Sequence, residues 1–257
     1  MGGVGLVAIL ILGYEINSFA QAQKKAAAFK LPAATASPAT SSPAVTPQPA
    51  QPLVGVQAAC GSRYVRNGNL DPWVTVAGSE AGYRAHEKIQ DIQLPHEAVA
   101  RTDHVAGQVA IIRDGSTVQI RRGCFAVELA SLTSVDTLPF GVPGRKRDEL
   151  YPDILSTAQY PYAVLNLRTA SIPSFGSQAK TVRVPAELTI KDATRPVTLT
   201  VSVQLAGERV QGVGSMAINA NDFGVGLPDG PFNVDPRLTI EFLFFLERVP
   251  DSRSLAR

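Results

Sequence analysis

Between Arg195 and Gly207 the chain reads RPVTLTVSVQLAG, in which Val197, Leu199, Val201, Val203 and Leu205 alternate with Thr198, Thr200, Ser202 and Gln204. A period of two places successive side chains on opposite faces of a sheet, so this stretch predicts a half-buried strand with one apolar and one hydroxyl-rich face. The same rhythm recurs along the chain. WVTVAGSEAGYRA, HVAGQVAII, STVQIRR, CFAVELASL, YAVLNLRTA, TVRVPAELTI, RVQGVGSMAIN and LTIEFLFFLERV are each short, rich in β-branched, aliphatic and aromatic residues, and separated by Gly, Pro, Asp or Asn. Asp114 and Gly115 in IRDGST tolerate the positive φ of a tight hairpin turn, and IKDATRP forms a polar connection, so the pairing is expected to be mostly antiparallel. An apolar strand face of this kind meets either a second sheet or the interior of a closed barrel, and periodicity does not separate the two.

One stretch breaks the rhythm. In GRKRDELYPDILSTAQYP (144–161) a charged start is followed by Leu150, Ile154 and Leu155 at helical spacing, which predicts a short amphipathic helix over about 148–156. A lone helix on a β-barrel has a natural seat over one mouth, where its apolar stripe closes the interior.

The front of the chain has a different character. GVGLVAILILGY (3–14) is an apolar run shorter than the roughly 20 residues that cross a bilayer, and it has the length of a signal-peptide core. Ser18 and Ala20 supply small residues for cleavage, although no Lys or Arg precedes the run. Residues 1–22 therefore read as a signal peptide or membrane anchor. LPAATASPATSSPAVTPQPAQP (31–52) has no charge and almost no large apolar side chain, so it cannot build a core and favours extended, polyproline-like conformations. Residues 23–60 are expected to be a disordered Pro-rich linker and residues 61–257 the folded domain. This layout predicts an extracytoplasmic protein, secreted or anchored to the cell membrane by its N-terminus.

Composition and chemistry narrow the function. The 257 residues carry a formal net charge of +2 with 18% charged residues, without the basic excess of a nucleic-acid binder, so no nucleic-acid partner is expected. Cys60 and Cys124 are the two cysteines, and in an exported protein they permit one disulfide; there is no CxxC and hence no zinc or redox-motif argument. His86, His96 and His104 lie beside Glu87, Glu97 and Asp103, but not at the close intervals of a zinc motif. They are expected to be exposed loop histidines, and no metal is assigned. With no nucleophile elbow and few groups for proton transfer among the apolar strand faces, no catalytic residue is assigned either, and binding is expected rather than catalysis.

KRDELYPDILSTAQYPYAVLNLRTA, then VPAELTIKDATRPVTLTV, then GSMAINANDFGVG, in that order, resemble the YceI-like polyisoprenoid-binding family. The resemblance lies in an Arg-Asp pair before a short helix, a Tyr-Pro before a strand, a Leu-Thr-Ile strand with Thr-Arg-Pro after its turn, and an Asp-Phe-Gly near the penultimate strand. It covers roughly residues 71–249, with Trp73 and Ser79 at the positions of the family's opening Trp and Ser. Gly78 stands where many members have a histidine, and EKIQDIQLPHEAVARTDHV is a long insertion expected as a loop shaping the mouth.

The resemblance implies an all-β fold, an antiparallel eight-stranded lipocalin-like β-barrel with one short helix near a mouth, preceded by the hydrophobic segment and the Pro/Ala/Thr/Ser-rich linker. It also implies extracytoplasmic binding or carriage of a long apolar lipid, a polyisoprenoid or prenyl quinone, with no cofactor required beyond that bound lipid. Membrane contact through the N-terminal segment and a homodimer are compatible with it. The implied lumen faces are Val197 to Leu205 as above, Val182, Val184, Ala186, Leu188 and Ile190, and Ile240, Phe242, Phe244 and Leu246. Lumen and mouth candidates are Tyr83, Phe125, Leu150, Ile154, Tyr160, Leu188, Val197, Leu199, Val201, Phe223, Phe242 and Phe244, with Arg147 as the candidate head-group contact. Arg147 has a second reading, paired with a carboxylate on a neighbouring loop while Asp148 caps the helix. The alternative function is a surface-tethered β-domain with a filled core, acting as a protein interaction module.

Overall fold

The structure is a computed structural model that describes residues 26–33, 54–60, 72–89, 92–137, 145–227 and 232–248. Its strands are β1 (Pro72–Thr75), β2 (Glu80–Ile89), β3 (Ile92–Thr102), β4 (Val105–Asp114), β5 (Thr117–Glu128), β6 (Thr133–Ser134), β7 (Tyr162–Leu167), β8 (Ala170–Pro173), β9 (Lys180–Ile190), β10 (Ala193–Ala206), β11 (Arg209–Asn219) and β12 (Phe232–Arg248). Among the described residues three short α-helices accompany them, α1 (Val54–Ala59), α2 (Arg145–Asp148) and α3 (Tyr151–Ile154), with 3-10 turns at Leu129–Ser131 and Ala220–Phe223.

Several of these segments are halves of one bent strand. β1 and β2 pair in succession with β12, and on their other side with β4 and β3. β5 and β6 follow each other along β4 and β3, while β7 and β8 both lie along β5. Joined in this way, the segments form eight long antiparallel strands, each beside its neighbour in sequence, and β12 returns to β1 and β2 to close the barrel. Closure removes the free edges that an open sheet would expose.

The bends have local causes. Between β1 and β2, Gly78 takes φ +91°, and the Ser79 hydroxyl donates to the Val76 carbonyl at 2.9 Å while accepting the Phe245 N–H at 3.0 Å, pinning the kink to β12. Register shifts at Ala110/Ile111 and Val234/Leu238 bend two further strands, as tilted barrel strands require. Alternation then sorts the faces. In β9, Val182, Val184, Ala186, Leu188 and Ile190 are buried between exposed Thr181, Arg183 and Pro185. In β10, Leu199, Val201 and Val203 are buried and Thr198 and Thr200 exposed. One end of the barrel carries the tight turns at Gly115 and Gly207. The other carries the β2–β3 connection, α2, α3 and the turn at Lys191.

Four expectations are corrected. The insertion after the first strand is no loop: Ala81 to Lys88 pair residue by residue with Thr102 to Pro95, so β2 and β3 extend the barrel wall. The helix expected over 148–156 is broken into α2 and α3, because Pro152 has no N–H to continue the helix and is tolerated only in a first turn. His96 is buried on β3, not exposed in a loop, and His86 is on β2.

The fourth concerns the linker, where two stretches are docked. Residues 26–33 run along the outside of the barrel: Arg84 Nη1 donates to the Ala26 carbonyl at 2.9 Å, the Arg101 guanidinium lies 3.9 Å over the Phe29 ring, and Gln204 Nε2 donates to the Pro32 carbonyl at 2.7 Å. Helix α1 packs Val56 against Ala106 and Ala126, and Cys60 is joined to Cys124 by a disulfide with Cα atoms 6.0 Å apart. Residues 26–33 hold because barrel side chains answer their backbone carbonyls, and α1 holds through the Val56 contact and the disulfide. The apolar run at 3–14 lies outside the described residues; among those described, no helix is long and apolar enough to cross a membrane.

Candidate functional site: an apolar lumen with one polar end

The barrel encloses a cavity of about 280 Å³. Its wall follows from strand parity: Val182, Val184, Leu188 and Ile190 of β9, Leu199, Val201 and Val203 of β10, and Ile240, Phe242, Phe244 and Leu246 of β12 all line it. At the helical end Leu150, Tyr151, Ile154 and Leu155 close over it, so the broken helix sits where a lid belongs. Leu150 is 37% exposed and so meets both lumen and solvent.

Three aromatic side chains shape the interior through glycines on the adjacent strand. Phe125 leans over Gly107, Phe244 over Gly212 and Phe242 over Gly214; a β-carbon at those glycines would come within 2.1, 2.1 and 2.8 Å of the respective rings. Phe242 and Phe244 stack with centroids 6.0 Å apart, and Phe125 lies 6.3 Å from Phe244. Because the facing positions carry no side chain, the rings lie against the wall rather than across the lumen.

Of the candidate lining residues, Tyr83, Phe125, Leu150, Ile154, Leu188, Leu199, Val201, Phe242 and Phe244 line the cavity. Tyr160, Val197 and Phe223 do not. Phe223 is buried in the surrounding core, Val197 packs half-buried against it, and the Tyr160 hydroxyl accepts a hydrogen bond from Gln159 Nε2 at 3.0 Å. Ala186 and Leu205 likewise pack in the core without reaching the cavity.

Arg147 does line the cavity, but it is not a free cation at the rim. Its Nη1 and Nη2 donate to Asp136 Oδ1 and Oδ2 at 2.8 and 3.0 Å, and Nη2 also donates to Glu87 Oε1 at 2.9 Å. His96 Nε2 lies 2.8 Å from Asp136 Oδ2 and 3.7 Å from Glu87 Oε1. The Val99 N–H donates to Asp136 Oδ1 at 2.9 Å. Tyr83 donates to the Tyr151 hydroxyl at 2.8 Å, which is 3.1 Å from Ser134 Oγ. Asp148 does not cap a helix: its Oδ1 accepts the Ser134 N–H at 2.9 Å.

The electrostatics of this cluster follow from burial. Loss of solvent pushes the Glu87 carboxyl up, only partly opposed by Arg147 and His96. Burial would do the same to Asp136, yet the hydrogen bonds from His96, Arg147 and Val99 outweigh it and hold that carboxyl well below the usual range. For Arg147 burial acts in the opposite direction, lowering the guanidinium, but the hydrogen bonds and charges of Asp136 and Glu87 outweigh it and raise it. Burial raises both Tyr83 and Tyr151, so their hydroxyls stay neutral.

Glu87 enters the sequence reading only as a neighbour of the expected loop histidines, because EKIQD falls in the expected loop; its parity with Ala81, Tyr83 and Ala85, which puts it on the same strand face, is the signal for its burial. Among the described residues, no group of three or more His, Cys, Asp or Glu is placed to hold a metal ion.

A closed meander of eight antiparallel strands around an apolar lumen, with a helical lid, defines a lipocalin-like binding barrel. The sequence pattern of the YceI-like domain matches residues 77–245, more than half of the chain, and the protein belongs to that family. Among solved structures, a polyisoprenoid binding domain from Saccharophagus degradans, implicated in plant cell wall breakdown, is 15% identical with a TM-score of 0.48, covering 70% of this chain and 100% of that one. BcnA of Burkholderia cenocepacia is 18% identical with a TM-score of 0.48, covering 66% and 96%. The YCEI protein of Campylobacter jejuni is 11% identical with a TM-score of 0.37, covering 56% and 82%. No curated protein matches the sequence.

Proposed function

We propose that this protein binds a long apolar lipid of the polyisoprenoid or prenyl-quinone kind inside the barrel and carries it outside the cytoplasm. The observation that carries the reading is the lumen itself: a family barrel whose inward faces leave an apolar cavity instead of a filled core. Transfer of hydrocarbon from water supplies the affinity, at about 0.8 kcal/mol per buried methylene. The named activity of the Saccharophagus domain is in keeping with it. The Cys60–Cys124 bridge favours an oxidising compartment, and the apolar run at 3–14 followed by a Pro-rich stretch favours export or a membrane tether. The titratable groups at the lumen are engaged with one another, which favours a binding role over catalysis.

Native mass spectrometry with organic extraction, applied to the full chain expressed with export, tests the proposal. A stoichiometric apolar species is the expected result. A chain that arrives empty and stays empty when challenged with prenyl quinones and prenyl alcohols would overturn it and leave the interaction module as the better account.

A further inference from the structure

The two ends of the lumen are built differently. At the helical end the lining is partly open to solvent, with Leu150 exposed and Ile154 and Leu155 half-buried. At the other end β4–β5 and β10–β11 close in tight turns at Gly115 and Gly207, which have no side chain to reach across the mouth. The β8–β9 connection at that end is longer and lies across it. The Ser174 N–H donates to the Ser116 carbonyl at 2.8 Å on one side, and the Gly176 carbonyl accepts the Leu205 N–H at 2.7 Å on the other. Between Ile172 and Val182 this connection is exposed or half-buried except at Phe175, which is buried and lines the cavity. Its backbone is therefore fixed on both sides with one large ring turned inward. Ile172, Val182, Val203, Val210 and Leu246, which line the same end, are buried as well.

We infer that Phe175 is the floor of the lumen and sets the chain length of the lipid: the tail enters from the helical end, and its last isoprene unit stops against the Phe175 ring. The inference rests on the lipid-binding reading above. The charged groups beside the lumen are bonded to one another, so the polar head stays at the solvent-open helical end while the hydrocarbon takes the apolar depth. The length follows from the wall. Lumen-facing Val182 and Ile190 lie at the two ends of β9, and at about 3.3 Å per residue and a strand tilt of about 35–45° the lumen between them is roughly 20 Å deep along the barrel axis. An extended carbon chain advances about 1.2 Å per bond, so about four isoprene units reach from the lid to the floor. A longer tail has no further apolar wall to bury against and leaves its excess in water. Replacing the Phe175 ring by a methyl group vacates about the room of one five-carbon unit, so Phe175→Ala admits about one unit more.

The test uses the delipidated full chain and a series of all-trans prenyl alcohols of increasing length, geraniol, farnesol, geranylgeraniol and their next two homologues, each competed against an apolar fluorophore. Affinity is expected to rise at least about tenfold per isoprene unit and to level off at about four units. In Phe175→Ala the levelling should move to about one unit longer. A second measurement needs no variant: geranylgeraniol carrying a photoreactive diazirine at its far end is crosslinked to the native chain and mapped after trypsin, which cuts behind Arg147, Arg168 and Lys180. The label is expected in peptide 169–180, which contains Phe175, and not at Leu150 to Leu155 in peptide 148–168. Should Phe175→Ala not fold, the crosslink decides alone. A native affinity that climbs through the whole series, a folded Phe175→Ala with the native length profile, or a label that misses peptide 169–180 overturns the floor and leaves lipid binding standing. Binding of none of the alcohols overturns the lipid reading, and this inference with it.

Discussion

Gly212→Ala puts the open lumen itself under test. The added β-carbon would meet the Phe244 ring at 2.1 Å, where ordinary carbon contacts lie near 3.5–4.0 Å, so the ring must retreat by roughly 1.5 Å. Its movement is constrained on one side by the stacked Phe242, 6.0 Å away, which leaves the lumen as the open direction. Overpacking of this kind costs about 1–3 kcal/mol, which for a domain of this size lowers Tm by about 2–12 °C. Inside the cavity the displaced ring takes the room of about one methylene, so a prenyl ligand should lose about 0.8 kcal/mol, or roughly fourfold in Kd. Thermal unfolding and fluorophore displacement read the two effects separately. The double variant Gly212→Ala with Phe244→Ala should recover affinity, giving a coupling of about 0.5–3 kcal/mol in the thermodynamic cycle. If Gly212→Ala left both Tm and affinity at the wild-type values, or if the two substitutions were additive, the glycine would not be what keeps the ring against the wall.

Arg147→Met should cost about 3–5 kcal/mol in urea unfolding, since it strands Glu87 and Asp136 as buried carboxylates without their cation; a loss below about 1 kcal/mol would mean the cluster is hydrated. Asp136, whose folded pKa is depressed, contributes stability that is present above the ordinary Asp value of about 4 and is lost as pH falls below it, whereas Glu87, whose folded pKa is raised, works in the opposite sense and blunts that loss. Asp136→Asn should therefore flatten the acid side of the stability-pH curve below about pH 4, and an unchanged curve would refute its role. Replacing Cys60 and Cys124 by Ser opens a loop spanning 64 residues and should lower stability by about 4 kcal/mol on the chain-entropy view; equal unfolding midpoints for oxidised and reduced wild type would contradict it.

Strand parity was the legible part of this molecule. The alternation in β9, β10 and β12 matches the cavity lining at most positions; Val197 and Leu205 of β10 and Ala186 within β9 pack outside the cavity. The closed barrel was legible only through the family motifs, because alternation fits a sandwich as well. The β2–β3 hairpin was hidden by its own chemistry: much of its buried side is Ala81, Ala85, Ala98 and Ala100, whose small side chains give a weak apolar rhythm beside many charges. The polar cluster was hidden for another reason. The sequence offers a carboxylate partner for Arg147 but not its identity, because only closure brings Glu87 and Asp136, 60 and 11 positions away, to it. Pro152 was visible and underweighted, since its missing N–H divides a pattern that the apolar spacing would otherwise make continuous.

An eight-stranded barrel is only just wide enough for its side chains to fill, so an open lumen has to be built by leaving volume out. Here the omission is localised: Ala81 on β2, and Gly212 and Gly214 on β11, flank β12, and its Phe242 and Phe244 rings fold over those two β11 glycines. A wall thinned in this region loses interior packing at the pairing of β12 with β2, which joins the last strand of the barrel to the first. That seam is held from outside instead. Glu241, between lumen-facing Ile240 and Phe242, is buried on the outer face and accepts hydrogen bonds from Arg84 Nε at 2.7 Å and from Arg101 Nε at 3.0 Å. Residues 26–33 cover those arginines through the Ala26 carbonyl and the Phe29 ring. Binding and stability are thus assigned to opposite faces of the same strand: β12 keeps its inner side for rings that must yield space, and its outer side for a charge cluster that holds the barrel shut around it.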